Sequence, residues 1–311
     1  MYDAPPRRKL EVFASIPEKF HVSGRPSPWV SVQLHGAVTP AFLEGPSFDA
    51  EGHLWVADIP WGRLFRIDPQ GNVSCELEYD GEPNGLVFHP DGRLFIADNK
   101  NGLMVFDRAK GAVEPFLDRA LVQRFKGVND LTFASNDDLY FTDQGQTGLH
   151  DPTGRVYRLT ADGRLDCLLS NVPSPNGLVL SPHEDILYVA VTRANALWRV
   201  PLVKQHGLVT KVGTYIQLSG GGGPDGLALD ASGGIAVCHV GLGAVWIFDA
   251  VGQPALRLDA PGGNRMTTNC AYGGAGRKQL FVTAGLHVLV GEADVAGAAT
   301  QMQLAAEGRA P

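Results

Sequence analysis

A short phrase that places an oxygen-bearing side chain at one position recurs six times along the sequence. Successive copies are separated by 40, 45, 47, 49 and 44 residues. Carboxylate and amide oxygens are the ligands that hard divalent cations prefer, so two carboxylates and four amides at one point would suit such an ion. The six oxygen-bearing residues are Glu44, Asn84, Asn129, Asn176, Asp225 and Asn269.

The elements that must position these side chains are short β-rich runs. Each phrase is followed by an apolar run, a polar turn and a second β-rich run that ends 14 or 15 residues after the phrase. A period in the forties built from β-runs is typical of a propeller with one blade per repeat. The sequence therefore predicts an all-β fold, a six-bladed β-propeller of four-stranded antiparallel blades. In that fold the six oxygen-bearing residues face one another across the central axis. A β-sandwich with coincidental spacing is the alternative, which six copies in register disfavour.

The six repeats occupy nearly the whole chain and leave no room for a second core. We predict a single propeller domain over residues 29–311, preceded by an arm over residues 1–28 that is rich in proline and charge. In blade 1 we expect the inner strand to begin just after the phrase, at Ser47. The run Trp29–Leu34 alternates as a strand does, and we expect it to pair with the last blade and close the ring, which removes exposed sheet edges. Little helix is expected, because no segment shows a sustained helical period.

Composition fits a soluble globular protein and excludes several classes of function. The chain has 311 residues, 44% hydrophobic and 19% charged, with a net charge of −7. A general nucleic-acid binder would show a basic face, so no nucleic-acid partner is expected. The four cysteines form no Cys-x-x-Cys pair and are interpreted as reduced packing residues.

No targeting or membrane segment is evident. Arg7-Arg8-Lys9 could begin a twin-arginine signal, but charged residues interrupt the ten residues after it, and no stretch reaches the ~20 apolar residues of a membrane span. We expect a cytoplasmic protein without a membrane partner, as a monomer or small homo-oligomer.

The strongest candidate for chemistry is a metal site formed by part of the axial ring. Glu44, Asn129, Asn176 and Asp225 offer four oxygens and two formal negative charges, which balance a divalent ion. Asparagine or aspartate beside glycine is also common in turns. A turn residue need not recur at one depth in six repeats, however, and glutamate is a poor turn former. We expect one divalent ion, with Ca²⁺ as first choice and Mg²⁺, Mn²⁺, Zn²⁺ or Fe²⁺ as alternatives.

Several phrases resemble those of the regucalcin (senescence marker protein)/gluconolactonase family. The resemblance runs in order from about residue 40 to residue 290 and implies a six-bladed propeller with one axial divalent ion and lactone hydrolysis as the activity. It implies that Glu44, Asn176 and Asp225 are metal ligands, that Asn129 touches both ion and substrate, and that Asp225 is the catalytic carboxylate. The phrases that carry it are Glu44-Gly45-Pro46, Asn129-Asp130, Pro175-Asn176-Gly177-Leu178, Pro224-Asp225-Gly226-Leu227 and Asn269-Cys270-Ala271-Tyr272-Gly273-Gly274.

Two positions depart from the family pattern. Animal regucalcins carry an arginine where this chain has Gly127, so their sugar-lactone contact does not transfer. The last blade more often carries serine where this chain has Asn269. Both differences bear on the substrate and leave the metal site intact.

A second ring is expected from the ends of the second β-runs. We interpret Asp58 and Asp98 as strand-end residues that bond to the following turn. Asp143 begins a long polar loop over residues 143–152 that is suited to cover a substrate, and it is a candidate substrate contact together with Gln144. His239 is a candidate substrate contact or general acid, although a lone histidine is more often structural. Asn129 and Asn269 complete the predicted substrate-binding set. The second ring comprises Asp58, Asp98, Asp143, Val191, His239 and Ala284.

These observations predict a metal-dependent lactonase, gluconolactonase-like, that opens a small sugar-type (aldono) lactone in carbohydrate metabolism. The ion would hold the carbonyl oxygen and stabilise the developing negative charge. Asp225 would take a proton from the attacking water, unless the ion itself activates that water. Two other classes remain open: a phosphotriesterase of the diisopropyl fluorophosphatase type, and a non-catalytic propeller scaffold with a structural metal. A panel of lactones and an organophosphate separates these functions.

Overall fold

The computed structural model describes residues 4–203 and 208–309, and these form six small antiparallel sheets in a ring. Each inner strand contacts the inner strand of the next blade, and the inner strand of blade 6 contacts that of blade 1. The predicted six-bladed β-propeller is confirmed.

Two strands precede the blades, and each of the first three blades runs outward from the axis through four consecutive strands. A two-stranded hairpin lies between blades 2 and 3. The preceding strands are β1 (Arg7–Lys9) and β2 (Glu11–Ser15); blade 1 is β3 (Leu43–Phe48), β4 (Leu54–Asp58), β5 (Arg63–Ile67) and β6 (Val73–Glu78); blade 2 is β7 (Pro83–Phe88), β8 (Leu94–Asp98), β9 (Gly102–Asp107) and β10 (Ala112–Leu117); the hairpin is β11 (Arg119–Ala120) and β12 (Gln123–Arg124); blade 3 is β13 (Val128–Phe133), β14 (Leu139–Asp143), β15 (Gly154–Leu159) and β16 (Leu165–Val172).

The last three blades follow the same order, with one small additional strand in blade 4. Blade 4 is β17 (Pro175–Leu180), β18 (Ile186–Val191), β19 (Ala196–Val203) and β21 (Gly213–Gln217), with β20 (Leu208–Val209) also paired to β19; blade 5 is β22 (Gly223–Leu229), β23 (Ile235–Val240), β24 (Ala244–Phe248) and β25 (Pro254–Asp259); blade 6 is β26 (Thr267–Gly273), β27 (Gln279–Ala284) and β28 (His287–Glu292).

Helices are few and short, as predicted. No helix in the described part of the chain has the length and apolar character needed to cross a lipid bilayer. The α-helices are α1 (Pro28–Gln33) and α2 (Gln301–Ala306), and the 3₁₀ turns are Glu18–Phe20, Ile59–Trp61, Thr192–Ala194, Pro261–Gly263 and Ala275–Arg277.

The ring is closed by an N-terminal strand, but not by the one that the sequence pattern favoured. β2 pairs antiparallel with β28 and supplies the fourth strand of blade 6. β1 adds a parallel strand to the edge of blade 5, where Arg7 forms an ion pair with Asp259 at 2.8 Å. The segment predicted as an arm therefore contributes two strands to the propeller.

The expectation that Trp29–Leu34 is the closing strand was wrong, because these residues lie mostly in α1. Ser27 caps the helix by accepting a hydrogen bond from the Val30 backbone N–H, and Pro28 occupies its first turn. Serine followed by proline is a helix-start signal, since the hydroxyl satisfies a free N–H and proline has none to lose. Trp29 and Val30 are buried side by side, which a strand exposed on one face would not allow.

The six oxygen-bearing phrases lie inside the inner strands, and not just before them as predicted. Each inner strand has a register shift against the second strand within or beside its phrase, as between Glu44 and Ser47 in blade 1. A β-bulge twists the strand locally and changes the direction of a side chain. Six equivalent irregularities thus mark the same depth around the axis.

The inner strands converge so closely that most blades have no room for a side chain after the phrase residue. A Cβ on Gly45 would lie 2.1 Å from the carbonyl oxygen of Asn84, and a Cβ on Gly177 would lie 2.5 Å from that of Asp225. Both distances are far below van der Waals contact, so these glycines are required by packing between blades. Glycine occupies this position in four blades, as Gly45, Gly85, Gly177 and Gly226.

The C-terminal segment covers the end of the axis opposite the phrases. Helix α2 begins with a capping box at Thr300, and its buried Met302 packs into the apolar cluster beneath Trp55 and Phe88. The Gln301 side chain donates to the carbonyl oxygen of Ala134 in blade 3. The helix therefore contacts several blades and lines a cavity of about 680 Å³ at that end.

We predict that Gly177→Ala destabilises the propeller by about 1–3 kcal/mol, the range typical of overpacked sites, because the methyl group would collide with the blade-5 backbone. The free energy of unfolding from urea titration is the measurement. Gly213→Ala is the matched control, since Gly213 lies in β21 with no atom within 4 Å of an added Cβ; it should change stability by less than about 0.5 kcal/mol. Equal effects of the two substitutions would refute the packing argument.

Candidate active site

The pairing register identifies the residue of each blade that faces the axis. In blades 1 to 4 the residue before the predicted ring position pairs with the last residue of the second strand, as Leu43 pairs with Asp58. In blade 5 the residue before the ring position pairs with His239, one residue before the end of the second strand. In blade 6 it is Thr267 that pairs with Ala284, so Thr268 is in register with the other ring residues. Asn269, the residue predicted for blade 6, is therefore one residue out of register. The cause is that the second strand of blade 6 ends 16 residues after Thr268, where the other blades have 14 or 15. We call Glu44, Asn84, Asn129, Asn176, Asp225 and Thr268 the axial ring; all six line one cavity.

The cavity has a volume of about 600 Å³ and two unlike walls above the axial ring. One wall is the polar loop after β14, from Gln144 to His150, together with Arg193. The other wall is apolar: Trp29 packs on Phe42 with ring centroids 4.9 Å apart, beside the buried Ile59. A ligand of small-molecule size would therefore lie between a polar and an apolar surface, above a floor of oxygen atoms.

The long loop after β14 orients one member of the ring. The Asn129 amide nitrogen donates to Gln144 Oε1 at 3.0 Å, and Gln144 Nε2 donates to Ser174 Oγ at 3.0 Å. The Thr147 hydroxyl donates to the Gln144 carbonyl oxygen at 2.6 Å and folds the loop back. Because its nitrogen is occupied, Asn129 is left with its carbonyl oxygen as the free ligand atom. Gln144, predicted as a substrate contact, lies in the cavity and also positions Asn129.

The Glu44 carboxyl is buried and the Asp225 carboxyl is half-buried, and the charge of each opposes that of the other. Burial raises the pKa of Glu44 to about 7, despite hydrogen bonds from the Gly45 N–H and from Asn269 and Thr268. Burial, and then the charge of Glu44, raises the pKa of Asp225 well above its ordinary value. A hydrogen bond from Asn176 acts in the opposite direction. Both carboxyls are therefore groups whose charged forms need a compensating cation.

A third buried carboxyl lies next to the ring on the side away from the mouth. Burial raises the pKa of Asp130 to about 7, and the charge of Glu44 adds to this effect. Asp130 takes the position that is glycine in four other blades, and a Cβ on Gly85 would lie 2.4 Å from its Oδ1. The side chain of Asp130 thus fills the space that the glycine of blade 2 leaves open.

Asn269 fills the corresponding space in blade 6 and does not line the mouth cavity. A Cβ on Gly226 would lie 2.1 Å from Asn269 Oδ1, which accepts from the Cys270 N–H at 2.8 Å. Hydrogen bonds from Asn269 favour the charged forms of Glu44 and Asp130. This geometry favours a role beneath the ring over the predicted contact with substrate.

Four members of the second ring lie behind the cavity, and each anchors the chain that leads into the inner strand of its own blade. Asp58 accepts from the Phe42 N–H at 2.7 Å, and Asp98 accepts from the Glu82 N–H at 3.1 Å. Both aspartates are fully buried. They are structural strand-end residues as expected. Asp98 also accepts from the Asn101 N–H in the following turn at 2.8 Å, whereas the bonds with Phe42 and Glu82 run to the segment before the inner strand.

Asp143 and His239 do the same in their blades. Asp143 Oδ1 accepts from the Gly127 N–H at 2.9 Å, and His239 Nε2 bonds to the Gly220 carbonyl oxygen at 2.9 Å. Neither side chain is among the described residues that line the cavity. Burial raises the pKa of Asp143 and lowers that of His239. The geometry therefore favours an anchoring role for both over the predicted contact with substrate.

The axial ring suits a hard divalent cation by the chemistry of its donors. Glu44 and Asp225 supply anionic oxygens, and Asn129 and Asn176 supply amides, with no nitrogen or sulfur ligand. Desolvation raises the pKa of both carboxyls because it disfavours their charged forms, and a cation bound between them would stabilise those charged forms.

A second acidic group lies in the turn between β3 and β4. The ligand atoms of Asp49, Glu51 and His53 lie within 4.8 Å of one another. Asp49 Oδ1 already accepts from the His53 N–H at 2.9 Å, and Glu51 Oε2 lies 2.6 Å from Arg66. Because protein donors already occupy these oxygens, the group is a turn stabilised by ion pairs, and the axial ring is the better cation site.

Sequence reasoning missed several residues of the cavity. Arg193, Ser174 and the aromatic wall of Trp29 come from connections between strands, where no period in the sequence marks them. Thr268 was missed because an asparagine follows it. The buried carboxyl of Asp130 beneath the ring was also missed, although the sequence offered a sign of it: Asp130 stands where four other blades carry glycine.

Comparison with known proteins supports an enzymatic interpretation of this site. The family model described as "SMP-30/Gluconolactonase/LRE-like region" matches residues 42–285. Lactonase drp35 of Staphylococcus aureus (strain MW2) is 29% identical over 250 residues, covering 76% of this chain and 74% of the relative.

Solved structures give the same result for the fold. A calcium-binding protein, regucalcin, from Agrobacterium tumefaciens is 27% identical with a TM-score of 0.71, over 84% of this chain and 92% of that chain. A gluconolactonase from Xanthomonas campestris is 23% identical with a TM-score of 0.72, over 84% of this chain and 87% of that chain. At that identity the second likeness supports the fold alone.

We predict that the metal-free protein loses stability as pH rises from about 4.5 to about 7. In the folded state Glu44 and Asp130 have pKa values of about 7, against ordinary values of 4.5 and 3.8. The folded state therefore binds more protons than the unfolded state in this window, so the free energy of unfolding falls with rising pH. Each carboxyl contributes at most about 1.4 kcal/mol per pH unit.

Urea titrations at several pH values in the presence of chelator measure this dependence. Glu44→Gln is the control: it removes one titrating group and the charge that raises the pKa values of its neighbours, so its stability should fall less steeply with pH. The lowered pKa of His239 acts in the opposite sense but is common to both proteins. Parallel curves for wild type and variant would contradict the prediction.

Proposed function

The chain belongs to the SMP-30/gluconolactonase/LRE-like family, and on this premise we propose that it is a metal-dependent lactonase acting on small sugar-type lactones. The relative named lactonase and the gluconolactonase in the description of the matched family support a lactonase-like hydrolase. The observation that carries the finer proposal is the axial ring, which brings the buried carboxyl of Glu44, the half-buried carboxyl of Asp225 and two amides together at the floor of a small-molecule cavity.

The proposed cation ligands are Glu44, Asn129, Asn176 and Asp225. Their all-oxygen chemistry makes Ca²⁺ the first choice, and the calcium-binding relative supports it. A divalent cation bound there would supply positive charge beside the lactone carbonyl oxygen. Gln144 keeps the Asn129 carbonyl oxygen directed to this point, and Asn269 supports Glu44 from beneath.

Asp225 is the proposed proton carrier. Its carboxylate takes a proton from a water molecule as the water oxygen forms a bond to the lactone carbonyl carbon. As the ring C–O bond breaks, the same carboxyl returns the proton to the departing alkoxide, which gives the open-chain hydroxy acid. Its raised pKa supports this role, because groups with strongly perturbed pKa values cluster in active sites.

The direct test is turnover of a panel of lactones and one organophosphate by purified protein with measured metal content. We expect lactone hydrolysis that is lost on chelation and restored by a divalent cation. Full lactonase activity in protein shown to be metal-free would refute metal dependence, and turnover of the organophosphate alone would refute the substrate class.

Two matched substitutions separate ligand from proton carrier. Glu44→Gln and Asp225→Asn each remove one negative charge from the ring and keep an oxygen ligand. Glu44→Gln should weaken metal binding and regain most activity in excess metal. Asp225→Asn should lose about 10²–10⁴-fold in kcat even when metal is saturating, because that is the usual contribution of a general acid–base group. Recovery of Asp225→Asn by added metal would reduce Asp225 to a ligand.

A further inference from the structure

An arginine, Arg193, stands at the mouth of the candidate active-site cavity. Arg193 lies in the 3₁₀ turn that follows β18, is exposed and lines the cavity. Within residues 4–203 and 208–309 its guanidinium makes no hydrogen bond or ion pair, and no other lysine or arginine lines the cavity. An exposed arginine does not need a protein partner. The informative feature of Arg193 is its position, because it lines the same cavity as the axial ring.

The backbone that carries Arg193 is held firmly against the active site. The Thr192 hydroxyl donates to the carbonyl oxygen of Pro224, the residue before Asp225, at 2.8 Å. The Thr192 N–H donates to the carbonyl oxygen of Ser174 at 3.0 Å. The turn is therefore fixed to the inner strand of blade 5 and to the residue just before the inner strand of blade 4. The backbone of Arg193 is thus positioned beside the strands that carry the axial ring.

Arg193 is the fixed positive charge of an otherwise acidic cavity. The chain has a net charge of −7, and the floor holds Glu44 and Asp225. Arg193 acts on that floor through its charge, opposing the effect of burial on the pKa of Asp225. His150 lies on the same rim, close to Arg193. A Cβ on Gly148 would lie 3.2 Å from His150 Nδ1 and 3.6 Å from Arg193 Cγ. An anionic group that entered this cavity would find its favourable position at this rim.

We propose that Arg193 binds an acidic substituent of the substrate, so that the preferred substrates are sugar lactones carrying a carboxylate or a phosphate away from the ring. This rests on the proposed lactonase function and names its substrate class. A guanidinium keeps its charge at all working pH values and matches either anion through two parallel N–H donors. The apolar wall of Trp29 and Phe42 is left to contact the carbon face of the lactone ring.

The test compares gluconolactone with two derivatives that carry a phosphate or a carboxylate at the terminal carbon. We expect wild-type protein to prefer one or both acidic lactones, and the two derivatives distinguish phosphate from carboxylate. Arg193→Gln should lower kcat/KM for the preferred acidic lactone about 10- to 100-fold, mainly through KM, as expected for a hydrogen bond to a charged group. Its kcat/KM for the neutral lactone should stay within about twofold, since neutral substrates lack the contact.

Arg199→Gln is the matched control, because Arg199 is exposed on β19 of the same blade and is not among the described residues that line the cavity; it should keep the preference. Added salt should weaken the preference of wild type, since the contact is exposed. A wild type that prefers the neutral lactone, or an Arg193→Gln variant that loses both activities equally, would overturn the proposal and leave the lactonase function standing.

If no lactone is hydrolysed, the proposed function fails and the anion site is judged by binding alone. Calorimetry with the phosphorylated hydroxy acid, for wild type and Arg193→Gln, then decides. Weaker binding by the variant supports the site, and equal binding by both proteins overturns it.

Discussion

The close approach of six inner strands at one axis is the constraint on which the rest of this structure depends. The strands are near enough that a Cβ on Gly177 would lie 2.5 Å from a carbonyl oxygen of the next blade. Glycine after the ring residue permits this approach, and a bulge near the same point turns the ring side chain toward the mouth. The geometry that closes the propeller therefore also gathers six polar side chains at one depth.

That convergence has an electrostatic consequence. Glu44, Asp130 and Asp225 lie close together, and desolvation raises the pKa of each, although Asp225 remains half-exposed at the cavity floor. Buried carboxyls of like sign are unfavourable unless a proton, a hydrogen-bond donor or a cation compensates them. Asn269 provides part of that compensation from beneath. The negative charge that stays uncompensated favours binding of a cation at the axial ring. In the group around Asp49, by contrast, arginine and backbone donors already compensate the carboxylates.

The sequence predicted the repeat, the blade number and five of the six ring residues, because the period and register of inner strands are imposed by the closed ring. The prediction was wrong for the ring residue of blade 6, where a shift of one residue in strand register decides which side chain faces the cavity. In blade 6 the second strand ends one residue later than the pattern allows, so Thr268 and not Asn269 faces the cavity. The helix at Trp29 was missed because an alternation of apolar residues outweighed the Ser27-Pro28 start signal.

The roles of the strand ends were harder to obtain from sequence. A carboxylate at the end of a strand can face the cavity or the preceding chain, and only the fold decides. For Asp143 and His239 it places hydrogen bonds to the backbone ahead of the inner strand. Arg193 could not be predicted for another reason. Turns between strands carry no period, and the position of Arg193 depends on the bonds of Thr192 to the inner strand of blade 5 and to Ser174, just before the inner strand of blade 4.

The central claim is that the axial ring holds one divalent cation, and anomalous diffraction from crystals grown with Mn²⁺ or Ca²⁺ tests it most directly. The account predicts a single strong peak on the propeller axis, with oxygens of Glu44, Asn129, Asn176 and Asp225 at about 2.0–2.6 Å, the range of such bonds. A peak among Asp49, Glu51 and His53 with none on the axis would contradict it, as would an axial ring that stays free of metal at saturating concentration.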